Sequence, residues 1–161
     1  MALVALAACK GGDGAAAGAR PTPSGLPVPR YASLKFDEIN ARGGPGEDYR
    51  LLWVYRAKGL PVQVLAETTD WRRVCDPTGG FAWVKATGVD ARRTVLHAGA
   101  APLPLLSRPD SGGKVQAYVG GRSVAGLEVC KAGWCRLKAS GASGWAPASA
   151  FWGTAPAPQC H

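Results

Sequence analysis

The side chains of this chain that could do covalent or metal chemistry are few: five cysteines and two histidines in 161 residues. A hydrolase of the Cys–His kind needs a thiolate within hydrogen-bond reach of an imidazole. Cys75 has no histidine near it in sequence, His97 lies between two strand-rich stretches, and His161 is the last residue. Carboxylates are dispersed through turns, and no pair stands out for acid–base work. Cys130, Cys135, Cys160 and His161 are a conceivable zinc set, yet no second Cys-x-x-Cys and no His-x-x-x-His supports it. The pattern therefore predicts no enzyme, no metal and no cofactor. Cys130 and Cys135 flank a tight turn, where paired hairpin strands bring two Cα atoms within bridging distance and predict a disulfide. Cys75 and Cys160 are left over, and the sequence leaves their pairing open.

The fifth cysteine, Cys9, ends an apolar start, and Leu6-Ala7-Ala8-Cys9 looks like a bacterial lipobox. In such a motif, small residues flank the cut and the thiol receives a diacylglyceryl group. Several acyl chains on one terminus anchor a protein firmly to a membrane. A full leader would add a basic segment and a longer apolar run, so the expected true start lies upstream of Met1. With Cys9 lipidated, four cysteines remain, an even number that fits an oxidising compartment. The expected location is the periplasmic side of the cell envelope, with a lipid anchor at Cys9.

Those residues must be held by something, and the elements are short. Glycine (22) and proline (13) are abundant, which favours strands and turns over long helices. Residues 1–9 read as a signal remnant. Residues 10–30 read as a Gly/Ala/Pro linker, floppy first and then stiffened by four prolines. Pro27 to Arg30 could alternatively serve as a proline-rich ligand for another domain. The formal charge of +8 favours anionic partners, but the arginines are scattered and form no nucleic-acid patch, so no nucleic acid is expected.

Two stretches resemble each other. Trp71 to Trp83 and Trp134 to Trp145 each hold a tryptophan, an alternating strand, a Gly-rich turn and a second tryptophan. Pro45 precedes Trp71 by 26 residues, and Pro109 precedes Trp134 by 25. An internal repeat fixes architecture before local patterns are read. Module 1 is predicted over 31–90, module 2 over 95–152, and a tail over 153–161. In module 1 a first strand or irregular arm is expected over Ser33–Arg42, strands follow over Leu51–Tyr55, Leu60–Glu67, Trp71–Asp76 and Phe81–Lys85, and Ala91 to His97 joins the modules. Five short strands without a helix predict an all-β protein of two tandem small barrels, whose closure hides strand edges. The repeated tryptophans are expected in the core or at the closure.

The loop Asn40-Ala41-Arg42-Gly43-Gly44-Pro45-Gly46 resembles the Asn-Val-Arg-x-Gly-Pro signature of bacterial SH3 (SH3b) domains. Gly59 to Leu65, Trp71-Arg72-Arg73-Val74, the closing Gly-x-x-Trp83-Val84 and Gly144-Trp145-Ala146 follow in the family's order. The Cys130 to Cys135 segment is also similar to many members. Ala41 and Gly43 depart from the commonest residues, and module 2 keeps only Arg108-Pro109 of the loop signature. The resemblance implies SH3-like barrels of the two-module proteobacterial envelope type that bind without catalysis. Expected partners are peptidoglycan peptides or a cell-envelope protein. Alternatives are an adaptor that touches no glycan and an accessory targeting subunit of a wall hydrolase. Arg42, Tyr49, Trp53 and Trp71 are the ligand-binding candidates, and if the signature loop lines the ligand site, module 2, which lacks it, is structural.

Overall fold

The structure, a computed structural model, describes residues 21–155, 159 and 160. The lipobox with Cys9, the first half of the linker and His161 lie outside the described residues. The chain is all-β, in two sheets of seven strands. The first holds β1 (Arg30–Leu34), β2 (Ile39–Arg42), β3 (Leu51–Tyr55), β4 (Pro61–Glu67), β5 (Trp71–Cys75), β6 (Phe81–Lys85) and β7 (Val89–Asp90). The second holds β8 (Thr94–His97), β9 (Leu103–Leu106), β10 (Val115–Val119), β11 (Ser123–Lys131), β12 (Trp134–Ala139), β13 (Ala142–Pro147) and β14 (Phe151–Trp152). The strand orders are β3-β2-β6-β5-β4-β1-β7 and β10-β9-β13-β12-β11-β8-β14, the same path twice.

Duplication extends to the irregularities. Pairing of β4 with β5 slips between Val64 and Ala66, and pairing of β11 with β12 slips between Leu127 and Val129. The β2–β3 and β9–β10 pairs slip at matching places, near Ala41 and near Val115. Such bulges bend a strand and raise its twist, which lets so short a sheet curl on itself. The seam of each curl is a single residue pair, Arg42 opposite Trp83 and Leu106 opposite Trp145.

Pleating sorts the residues. Ala32, Leu34, Ile39, Ala41, Val62, Val64, Val74, Ala82 and Val84 form the first core, with Tyr55. Val95, Leu105, Val119, Ala125, Cys135, Leu137, Ala146 and Phe151 form the second. Trp83 alternates with Ala82 and Val84 and so faces away from the core. Trp145 does the same beside Ala146. Trp83 and Trp145 thus stand at the closing seam with their rings outside the core, Trp71 is buried, and Trp83, Trp134 and Trp145 are half-buried. Core space in modules this small is filled by valine, alanine and leucine.

Several strands escape the sequence pattern, the two-residue β7 and β14 among them. The expected strand or arm over Ser33–Arg42 is two strands, β1 and β2, broken at Lys35 to Glu38. Hydrogen bonds from Leu34 N to Leu60 O (2.9 Å) and Lys35 N to Gly88 O (2.9 Å) hold that break. The expected joining segment contains β8, whose inward residues are only Val95 and His97, too few to show a period. His97 is 7% exposed and its ring nitrogens face the carbonyl oxygens of Ala150 (3.2 Å) and Ala101 (2.9 Å). The second half of the linker also departs from a free spacer. It turns at Thr22 to Gly25, Ser24 N donates to Glu67 (3.2 Å), and Val28 packs on the first core.

Both disulfides are present. Cys130 and Cys135 are cross-strand partners with Cα atoms 4.0 Å apart. Between them, Ala132 (φ 47°) and Gly133 (φ 79°) make the left-handed two-residue turn that suits a hairpin. Cys75 bonds Cys160 across 85 residues, a loop that encloses the whole of module 2. Beside it, Gln159 N donates to Gln63 Oε1 (3.1 Å), and Gln159 Oε1 accepts from Tyr31 OH (2.8 Å) and Gly153 N (2.7 Å). The tail therefore returns from the end of module 2 to the outer face of β4 and β5. In the chain-entropy picture, closing the long loop stabilises by about 4–5 kcal/mol and the short loop by about 2 kcal/mol. Cys160→Ser is therefore expected to lower the denaturant midpoint clearly more than the Cys130→Ser/Cys135→Ser double change. Equal losses in chemical unfolding would show that the tail does not hold the modules together.

Candidate functional site

The loop between β2 and β3 folds over the outer face of the first sheet. Arg42 Nη1 donates to the Tyr49 carbonyl (2.9 Å), and Gly43 N donates to the Arg50 carbonyl (3.0 Å), which close the loop's neck. The Tyr49 ring lies on the loop's glycines: a Cβ on Gly44 would sit 2.2 Å from Tyr49 Cδ1. Glycine is therefore required there for close approach, and the phenol caps the loop while 51% exposed.

Beneath this loop runs a groove of about 240 Å³, lined by Phe36, Asn40, Arg42, Glu47, Trp71 and Lys85 among others. Trp71 opens β5 and Lys85 ends β6 opposite it in register, so indole and ammonium share one end of the hairpin. Lys85 Nζ and the Glu47 carboxylate form an ion pair across the mouth. Their hydrogen bond, then the Lys85 charge, and more weakly Arg42, hold the Glu47 carboxyl below the usual glutamate range. Arg42 forms no salt bridge among the described residues, although Glu38 and Glu47 line the same groove. The groove thus offers a guanidinium beside an aromatic wall, a combination that can pair a carboxylate and pack the chain carrying it.

Of the four residues singled out by sequence, Arg42 and Trp71 line this groove, and Tyr49 is tied to Arg42 through its carbonyl. Trp53 lies elsewhere, with Tyr55 and Asp76 in a different cavity. Glu47, Lys85, Phe36 and Asn40 were not legible as site residues. Asn40 opens the loop signature and lies on β2 with Arg42, whereas Phe36, Glu47 and Lys85 come from separate loops and a strand end, and only the alignment of Trp71 with Lys85 across a hairpin could have hinted at Lys85. The conceivable zinc ligands are not free: Cys130 is bonded to Cys135 and Cys160 to Cys75.

Module 2 repeats the groove's frame without its charges. By register, Leu106 stands where Arg42 does, since each faces the seam tryptophan. Pro147 stands where Lys85 does, each opposite the first tryptophan of its hairpin. Ser111 takes the place of Glu47, because the two loops are equally long between Arg42–Leu51 and Leu106–Val115.

The bacterial SH3 domain description matches twice, over residues 35–90 and 99–153. The chain belongs to the bacterial SH3 domain family. Its two domains are tandem copies, and the twofold match coincides with the twofold sheet. No curated protein matches the chain. Among solved structures, the chain is similar to NlpC1 from Trichomonas vaginalis, at 14% identity and a TM-score of 0.34, covering 77% of this chain and 45% of that one. NlpC2 from the same organism gives 14% identity and a TM-score of 0.35, covering 78% of this chain and 48% of that one. The chain spans about half the length of these structures.

The Glu47–Lys85 pair sets a pH dependence. Because the folded carboxyl titrates below its ordinary value, the pair is intact above the usual glutamate pKa and is lost as pH falls through the depressed value. Carboxyl carbon NMR of Glu47 is expected to show a midpoint below that of an ordinary glutamate. Lys85→Ala should move that midpoint up to the ordinary range. An unchanged midpoint would mean that the pair does not form in solution.

Proposed function

We propose that this chain is a non-catalytic binding protein of the bacterial cell envelope, engaging carboxylate-bearing wall peptides through the groove of its first SH3 domain. The observation that carries the reading is the Arg42 guanidinium beside Trp71, in no salt bridge of its own while Glu47 in the same groove is paired with Lys85. A peptide carboxylate meets Arg42, and its aliphatic stem lies along Trp71 and Phe36. The net charge of +8 raises the local concentration of such an anionic polymer. Membership of the bacterial SH3 family supports an envelope setting, since such domains are typically binding modules of extracellular or envelope proteins. A lipid anchor at Cys9 would hold the module near the wall, and two disulfides suit an oxidising compartment. No helix among the described residues is long and apolar enough to cross a membrane.

A second reading is an adaptor for an envelope protein. It is favoured by β10, a sheet-end strand on which Val115 (50%) and Tyr118 (57%) are exposed. An exposed apolar strand is a template for another chain.

Binding to purified sacculi separates these. Losing a charge-assisted contact of about 1.5–3 kcal/mol predicts that Arg42→Ala weakens sacculus binding roughly 10- to 100-fold. Tyr118→Ala should leave that binding intact. Unchanged binding by Arg42→Ala would remove the groove as the site, and no sacculus binding by the unaltered chain, with capture of an envelope protein that Tyr118→Ala abolishes, would favour the adaptor.

A further inference from the structure

A second cavity, of about 390 Å³, opens where the two domains meet, apart from the groove under Arg42. Trp53, Tyr55, Leu60, Asp76 and Gly80 line it from the first domain, and Leu96 of β8 lines it from the second. Trp53 and Tyr55 meet edge to face, with ring centroids 5.8 Å apart. The cavity has apolar walls and one ionisable acid, Asp76, which is 5% exposed. Neither lysine nor arginine lines it. Asp76 Oδ1 accepts from Thr78 N (2.8 Å), Thr78 Oγ1 (2.6 Å) and Gly80 N (3.1 Å). Asp76 Oδ2 accepts from Tyr55 OH (2.9 Å) and has no second donor among the described residues.

Turn formation accounts for Oδ1 alone. The duplicated domain shows what the fold itself requires. By register, Ala117, Val119, Ala139 and Ala142 occupy the places of Trp53, Tyr55, Asp76 and Gly80. The same sheet therefore closes with no acid, no phenol and no indole at these points. A carboxylate buried without a cation depends on hydrogen bonds alone to replace its hydration, a demand absent from the second copy, which has no acid there. Gly80 keeps the remaining space open. A Cβ there would stand 2.6 Å from Asp76 Oδ2 and 3.2 Å from Trp53 Cζ2. Glycine thus preserves a gap between a carboxylate oxygen and an indole face edge, where the copy has alanine.

We propose that this cavity binds a primary ammonium group on a short aliphatic stem. The ammonium donates to Asp76 Oδ2, and the stem packs on Trp53, Leu60 and Leu96. A buried carboxylate gains its missing counter-ion, and the adjacent aromatics favour a cation over a neutral group. Tyr55 stays a neutral donor to Asp76, because burial and the Asp76 charge both push its pKa up. Since Leu96 belongs to the second domain, ligand occupancy also bridges the two. This site is additional to the groove and opposite to it in charge preference.

The test uses the full chain with both disulfides formed, labelled with nitrogen-15. The probe is n-butylammonium chloride, with 1-butanol as the neutral isostere at equal concentration and salt. Expected are saturable shifts of the Trp53 indole N–H and the Thr78 and Gly80 amides, with butanol binding at least tenfold more weakly. Asp76→Asn should lose at least tenfold in butylammonium affinity, and Trp53→Ala, which installs the residue of the copy, should weaken it severalfold. Equal shifts from butanol, or no saturable shift, overturn the proposal. So does a folded Asp76→Asn chain with unchanged affinity, which would leave Asp76 as a turn former only. Should Asp76→Asn not fold, unchanged affinity in Trp53→Ala overturns it.

Discussion

The constraint on which everything else rests is the size of the space inside each curled sheet. Seven short strands leave room for valine, alanine and leucine, and little more. Strand pleating sends alternate side chains to opposite faces. Wherever a tryptophan alternates with a core valine, it must stand outside. Trp83 is placed this way by Ala82 and Val84, and Trp145 by Ala146. Large aromatics on an outer face are costly to leave bare, so loops and strand ends fold over them. The groove under the Arg42 loop is one consequence, with Trp71 as its floor.

Duplication separates what the fold needs from what a site needs. Both copies keep the strand order, both bulges, the seam pair and the first tryptophan of the hairpin. They part at the charged and aromatic positions. Arg42 becomes Leu106, Lys85 becomes Pro147, Asp76 becomes Ala139 and Trp53 becomes Ala117. Every one of these changes removes a group that costs free energy to bury or to hold in place. The second copy keeps the sheet without these side chains, contributes Leu96 to one cavity, and leads into the tail that returns to the first sheet.

The two domains are joined by more than a linker. Ser33 Oγ meets Arg92 O at 2.7 Å and Thr94 Oγ1 at 2.6 Å, and Thr94 Oγ1 donates to Gly59 O at 2.7 Å. Arg93 lies over the Tyr31 ring at 4.9 Å and donates to Gly153 O at 2.7 Å. The Cys75–Cys160 bond then ties the far end of the chain back to β5. Contacts of this kind give two marginal cores a common boundary, which small domains need.

Much of the fold was legible from residues alone. The paired tryptophans, the Gly-rich turns and the loop Asn40 to Gly46 carry a strong local signal, because turn chemistry and strand alternation are set by near neighbours. The Cys130–Cys135 bridge was legible for the same reason. β8 was not, since two inward residues show no period, and neither was the Cys75–Cys160 bond, since 85 residues separate its partners. The candidate sites divide along the same line. Arg42 and Trp71 stand in recognisable local patterns, so sequence could name them as a pair. Only tertiary structure could set Glu47 and Lys85 beside them, move Trp53 to another cavity, or bring Asp76 within reach of Tyr55 and Leu96. The amino-acid sequence determined two copies of a short-stranded barrel, because that follows from local pattern repeated. Which side chains share a cavity was decided by how the sheet curls and where the copies meet, because those contacts join residues that local pattern cannot relate.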